Sequence, residues 1–272
     1  MFGKLLRMDF KRGASPAKVI PAILIVVVLM AASSWDTMLP AIQNDSWGSY
    51  GAVDLLEKQM LFDAYKVVMV ISFAAVYTGS ICKDIRSRYQ RMILSRTNLQ
   101  AYTASRFLVN AVLIIIVSII SCYLYSAVIM IIGFPVITEN AEGGLLGSAY
   151  YLDWMKAAPY LYIGFIGLQF GIIAAAFSSI GLLFSAYQQD AFVCIGLSAF
   201  SFFIAVSVSA FWTGNPFDLL TLMGMQPTLP SGRNTPLPLM CAWGMLYPSL
   251  IIILCCLAFY RKMKERVVNG II

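Results

Sequence analysis

Histidine is absent from this 272-residue chain. Its absence removes the commonest general base, the commonest metal ligand and the side chain that titrates near neutral pH. An intramembrane protease of the Ser/His kind and a zinc protease built on H-E-x-x-H are therefore excluded. Charge is scarce: 12% of residues are charged, against about a quarter in a soluble globular protein. No G-x-x-x-x-G-K-[ST] phosphate loop occurs, so the chain is not expected to be an enzyme that hydrolyses ATP by that route. No C-x-x-C occurs either. The cysteines Cys82, Cys122, Cys194, Cys241, Cys255 and Cys256 lie mostly inside or beside apolar runs, and they read as apolar filler rather than as a metal or redox motif.

What the chain has in excess is apolar sequence, 60% of its residues, with a mean hydropathy of +0.80. Crossing a hydrocarbon core of about 30 Å takes roughly 20 apolar residues in a helix. Six runs meet or nearly meet that length, at about 19–34, 64–82, 107–132, 158–186, 191–212 and 243–260. They are continuously apolar, whereas the strands of a membrane barrel are short and alternate. The expected fold is an all-α integral membrane protein, one transmembrane domain over 1–272 with six transmembrane helices. The basic first 18 residues followed by an apolar run resemble a signal peptide, and are read as an uncleaved anchor.

The basic residues are unevenly spread. Lys4, Arg7, Lys11, Arg12 and Lys18 precede the first run; Lys83, Arg86, Arg88, Arg91, Arg96 and Arg106 fall between the second and third; Arg261, Lys262, Lys264 and Arg266 follow the sixth. The alternate connections hold only Lys58, Lys66, Lys156 and Arg233, together with most of the acids. The positive-inside rule then expects both termini and the 83–106 segment in the cytoplasm, and an even number of spans agrees.

Residues 2–12, FGKLLRMDFKR, place Phe2, Leu5, Leu6 and Phe10 on one helical arc and Lys4, Arg7 and Lys11 on the opposite one, with Asp9 interrupting the apolar arc. Such a helix suits the inner membrane interface. Two readings stand for it: an elbow that moves with a partner, and a simple anchor. Segment 35–63 is expected outside, with Trp35, Trp47 and Tyr50 at headgroup level and 52–62 as a short helix on the outer surface. The fourth run carries Gly167 and Gly171 as a GxxxG among many small residues, a pattern that lets helix backbones approach closely. Packing within the monomer and a face between subunits are both open for it. The link 185–192 has no lysine or arginine and is expected to be covered or merely short. Segment 213–242 is apolar but broken by Pro216, Pro227, Pro230, Pro236 and Pro238. It reads as a re-entrant or outer-leaflet cap, with an extended external loop as the alternative. The cores of the runs hold almost no ionisable residue and no acid–base pair, which counts against a carrier coupled to protons or ions.

The basic segment KDIRSRYQRMILSRTNLQAYTASR, residues 83–106, has a pattern beyond its charge. Ile85, Tyr89, Met92 and Ile93 fall on one helical face, and LSRTNLQAY then breaks the period. A short amphipathic helix followed by a turn is expected.

The order of a basic amphipathic start, one span, an external segment, a second span and then D-x-x-S-R-x-x-x-x-x-L-S-R-x-x-L-x-x-Y-x-x-S-R-F leading into the third resembles the membrane subunit of ABC-2 type exporters. The resemblance covers nearly the whole chain in layout. It implies six helices per subunit, an N-terminal interfacial elbow helix at Lys4, Arg7, Lys11 and Arg12, a cytoplasmic coupling helix over 86–98, and a re-entrant segment before the last span. It further implies a separate ATPase subunit docked at Arg88, Tyr89, Arg91, Met92, Leu94 and Ser95, and a second permease subunit completing the transport path. Here Ser87-Arg88-Tyr89-Gln90-Arg91 stands where such loops often carry an acidic, glycine-containing run. The E-A-A…G loop of importers is absent, which favours export. No cofactor is expected in this chain; ATP and Mg would sit on the partner ATPase. The expected surroundings are membrane lipid in a bacterial plasma membrane, with no nucleic acid. The substrate class suggested by such apolar spans is a hydrophobic or amphipathic peptide, lipid or drug. The competing reading is a self-contained polytopic protein, for immunity, stress or lipid binding, in which the basic loops serve topology and attraction to anionic lipid.

Overall fold

The structure is a computed structural model of the chain; it describes residues 2–62 save 47 and 49, 65–94 save 88, 97–137, 156–211 save 189, and 237–269. Its elements are helices: α1 (Phe2–Gly13), α2 (Pro16–Gln43), α3 (Ala52–Phe62), α4 (Lys66–Arg86), α5 (Tyr89–Leu94), α6 (Leu99–Ile132), α7 (Pro159–Ser185), α8 (Ala191–Phe211) and α9 (Leu237–Val268). Among the described residues, six of them, α2, α4, α6, α7, α8 and α9, are long and apolar enough to cross a membrane.

Several helices outrun the apolar runs that announce them, because caps rather than hydropathy set their ends. Pro16 occupies the first position of α2, where its missing N–H costs nothing. Asn98 caps α6 by accepting the Gln100 N–H at 3.2 Å, so the helix starts at Leu99, two turns ahead of the apolar run. At its far end Gly133 takes the left-handed conformation, φ 119°, that closes a helix. The expected amphipathic helix over 85–93 is split: α4 ends at Arg86 and α5 is a separate single turn and a half. Met92 is exposed and Ile93 buried, so the two do not share an apolar face.

The hub of the bundle is α7. In its spanning window 83% of residues are buried, against 22% in those of α2, α8 and α9, which form the rim. Small side chains are the cause. A Cβ on Gly171 would stand 2.8 Å from Ile115 Cα, and one on Gly167 would stand 2.9 Å from Ile119 Cα. Both glycines therefore pack within the monomer, against α6. Edge-to-face rings fasten α7 to its other neighbours: Phe73 of α4 meets Phe170 at 5.6 Å, and Phe202 of α8 meets Phe177 at 5.2 Å. About a turn beyond Arg106 along α6, Thr78 of α4, Ser178 of α7 and Asn110 of α6 share hydrogen bonds of 3.1 Å.

One position departs from the sequence reading. The helix over 52–62 does form, but not on the outer surface. Ala52, Val53, Leu55, Leu56 and Met60 are buried in the main core among α2, α6 and α7. Alternation of polar and apolar residues there is weak because both faces find partners. In the link after α7, Ala186 is buried while Tyr187, Gln188, Asp190 and Phe192 are exposed, so of the two readings of 185–192 the merely short one stands. The proposed cap at 213–242 falls on residues outside the description up to 236; from Leu237 onward the chain is already α9.

Gly171→Ala should push α7 off α6 and cost about 1–3 kcal/mol, as an overpacked core contact does. Gly196→Ala, where nothing lies within 4 Å of the new methyl, should leave stability unchanged or slightly raised. Thermal unfolding of the two variants in one detergent compares them directly.

Candidate functional site

The most unusual chemistry in the molecule lies at the end of the bundle where α1, the end of α4 and the start of α6 meet. Arg106, on the second turn of α6, is fully buried. Its Nη2 pairs with Asp84 Oδ2 at 2.7 Å and its Nη1 approaches Asp9 Oδ1 at 3.3 Å. Nη1 also donates to the Tyr77 hydroxyl at 3.1 Å, and the guanidinium lies 5.0 Å over the Tyr102 ring. Asp84 and Asp9 are likewise fully buried. Each carboxylate has a second partner: Arg12 pairs with Asp84 Oδ1, and the Ser105 hydroxyl donates to Asp9 Oδ2 at 2.7 Å. Two cations and two anions thus balance, with Arg106, Asp9 and Asp84 inside an apolar shell that includes Leu5, Tyr77, Ile81, Tyr102, Phe107 and Leu113, and with Arg12 at its exposed edge.

Local structure explains how these groups converge. The Asn98 cap starts α6 early enough to carry Tyr102, Ser105 and Arg106 on helix rather than loop. On α4, the last turn turns Asp84 inward while Lys83 and Arg86 stay exposed. On α1, Leu5 and Asp9 stand four residues apart on the buried face. Gly13 closes the approach, since a Cβ there would stand 2.8 Å from the Tyr77 ring. Burial pushes the Asp9 carboxyl above the ordinary aspartate range, and Arg106 and the Ser105 hydroxyl pull it back.

By sequence Asp9 interrupts an apolar arc, and Asp84 and Arg106 fall at the two ends of the basic 83–106 segment. In the structure the three form a buried ion-pair cluster, which hydropathy does not reveal because the partners are distant in sequence. The one available signal was the pair of opposite charges bracketing the loop. Of the expected ATPase contacts, Met92 is exposed and Leu94 half-buried on α5. Tyr89 and Arg91 lie on α5 with side chains outside the description, and Arg88 and Ser95 are outside it altogether. Helix is present over Tyr89–Leu94 rather than throughout 86–98. Lys4, Arg7, Lys11 and Arg12 are exposed on α1, as are Phe2 and Phe10, while Leu5 is buried and Leu6 half-buried.

A second polar knot sits at the opposite end and holds α3. The Ala52 and Val53 N–H groups donate to the Pro135 and Val136 carbonyls, at 2.9 and 3.2 Å. Asp54 accepts the Gly51 N–H at 2.8 Å, the reach-back half of a capping box. At the other end of α3 the buried Lys66 ammonium donates to the Met60 carbonyl at 2.9 Å, where a cation complements the helix dipole. Gln59 bonds the Met30 carbonyl at 2.8 Å and the Ser34 hydroxyl, which in turn bonds Tyr125. The Tyr162 hydroxyl bonds the Glu57 carboxyl. Burial, with Asp54 adding to it, raises Glu57 to about 7 against the bond from Tyr162.

Among the described residues no cluster of three or more His, Cys, Asp or Glu could hold a metal ion. Compared with known proteins, the chain matches no family model and no curated protein.

Asp84→Ala leaves two guanidinium groups without their shared carboxylate, one of them buried, and should cost about 3–5 kcal/mol. Asp9→Asn with Asp84→Asn and Arg106→Met removes the buried charge together and should cost less than Asp84→Ala alone, read as melting temperature in detergent. Glu57 binds its proton more tightly folded, near 7, than unfolded, near 4.5. Its contribution is therefore fully present below pH 4.5 and lost as pH rises through 7. The wild-type melting temperature should fall across that window relative to Glu57→Gln, which carries the neutral form at every pH.

Proposed function

We propose that this chain is the membrane-embedded permease subunit of an ABC-2 type exporter. In this reading it moves a hydrophobic or amphipathic substrate, a peptide, lipid or drug, outward across a bacterial plasma membrane. The energy comes from ATP hydrolysed on a separate subunit, which carries the nucleotide and its Mg. A second permease, the same or homologous, completes the path. In the same reading α1 is the interfacial elbow, α5 lies in the coupling segment over 86–98, and the proline-rich stretch before α9 is the re-entrant cap.

The observation that carries this reading is the Arg106 cluster. The basic loop leaves α4 three residues past Asp84 and re-enters α6 ahead of Arg106, and both residues are tied to each other and to α1. A partner that pushes on the loop or on α1 therefore moves the ends of two spans as one body. A loop needed only for topology has no use for so stiff a root. The surface of α1 supplies cations and the exposed apolar groups Phe2, Met8 and Phe10, and α5 adds the exposed Met92, for such a contact.

The test is a mild-detergent pull-down of the tagged chain from its native cell, with mass spectrometry of what accompanies it. A stoichiometric protein with a Walker-type ATPase is expected, and Arg88→Glu with Arg91→Glu should reduce its recovery at least several-fold. A single clean species across several detergents would support the self-contained polytopic reading instead.

A further inference from the structure

Beside the Arg106 cluster, on the other side of α4, lies an open cavity of about 740 Å³. It is lined by Cys82, Lys83 and Arg86 from the end of α4, by Tyr187, Gln188 and Asp190 from the link, and by Ala191 and Phe192 from the start of α8. We propose that this cavity binds the headgroup of an anionic phospholipid, with its acyl chains lying against α8.

Charge gives the sign of the ligand. Lys83 and Arg86 are exposed, and among the described residues neither makes an ion pair. The acid in the lining, Asp190, is engaged locally: its Oδ1 accepts the Phe192 N–H at 2.9 Å and so occupies the start of α8. Asp84, one residue from Lys83, is turned away into the core and saturated by Arg106 and Arg12. The lining therefore carries two cations against one carboxylate, a net positive charge. Basic pockets of this kind at the end of a span take phosphate-bearing headgroups.

Size and surroundings choose the lipid over a free phosphate. The volume lies within the range of small-molecule sites, roughly 300–1,000 Å³, and exceeds what an inorganic phosphate fills. Of the lining residues Cys82 is buried, its sulfur 3.6 Å from that of Cys194 behind it. One wall, Phe192, is 88% exposed, and Val193, Phe200, Phe203 and Ile204 carry the exposed apolar surface onward along α8. Tyr187 stands at the rim, half-exposed, with the Lys262 ammonium 5.2 Å over its ring. Cations at the mouth, aromatic rings at the rim and an apolar run leading away match the three zones of a phospholipid. This site does not depend on the export reading, since no ATPase residue and no transport step enters the argument.

The purified full chain, in zwitterionic detergent, is titrated with phosphatidylglycerol, phosphatidylcholine and inorganic phosphate. Native mass spectrometry counts bound lipid and a thermal shift reads stabilisation. Phosphatidylglycerol should bind and raise the melting temperature, with phosphatidylcholine weaker and inorganic phosphate without effect. Each basic residue near a surface is worth about five-fold in affinity, so Lys83→Gln with Arg86→Gln should weaken phosphatidylglycerol roughly thirty-fold. Both side chains are exposed, so the fold should survive, and Lys83→Arg with Arg86→Lys should restore binding. Arg261→Gln with Lys264→Gln removes the same charge from the exposed end of α9 and should bind as wild type. Three outcomes overturn the site: phosphatidylglycerol binding unchanged in the first double variant, equal losses in both double variants, or inorganic phosphate stabilising as much as the lipid.

Discussion

A guanidinium that cannot reach water must be neutralised where it sits, and Arg106 is such a group. It cannot shed its proton, and its rigid fork of donors accepts carboxylates at fixed angles. Asp84 and Asp9 supply the charge, Tyr77 a further acceptor and Tyr102 an aromatic face. Because these partners come from α4, α1 and α6, satisfying one side chain fixes three helices. Slippage of α1 by a single residue would leave a charge buried alone, a cost that apolar packing of Leu5 could not offset.

The rest of the bundle follows from that division between ends and middle. Between the two polar knots the helices associate through small residues on α7, with the Thr78, Ser178 and Asn110 hydroxyls and amide as a polar contact one turn from the Arg106 cluster. Lipid offers no hydrophobic reward for pairing apolar helices, so close backbone approach and dispersion carry the association. Close approach alone sets distance well and height poorly. The Arg106 cluster at one end and the Gln59, Ser34 and Tyr125 chain at the other set the height.

The last turn of α4 has two duties. Asp84 faces the buried cluster, while Lys83 and Arg86, within three residues of it, face the cavity under Tyr187 and Phe192. The proposed lever and the proposed lipid site therefore share one turn of helix. Occupancy of the cavity and displacement of the basic loop would each be felt by the other through a rigid element, not through a chain of loose contacts.

The sequence alone determined that this chain is a bundle of apolar helices. Uninterrupted apolar length is a local property, and the six runs each produced a helix of spanning length. The amphipathic start was also local, and α1 formed. Helix ends were less legible, since one capping residue, Asn98, moved the start of α6 by two turns. What only the tertiary structure decided is where the charges went. Asp9 and Ser105 are 96 positions apart, and no period or composition links them. Asp84 and Arg106 look like solvated loop residues from their neighbours, yet packing removes them from water. Likewise, the charge pattern places segment 35–63 outside but does not show that α3 is buried, which happens because α2, α6 and α7 leave room that its apolar side chains fill. A hydropathy pattern reports what a residue prefers; a buried ion pair depends on a partner that the pattern does not contain.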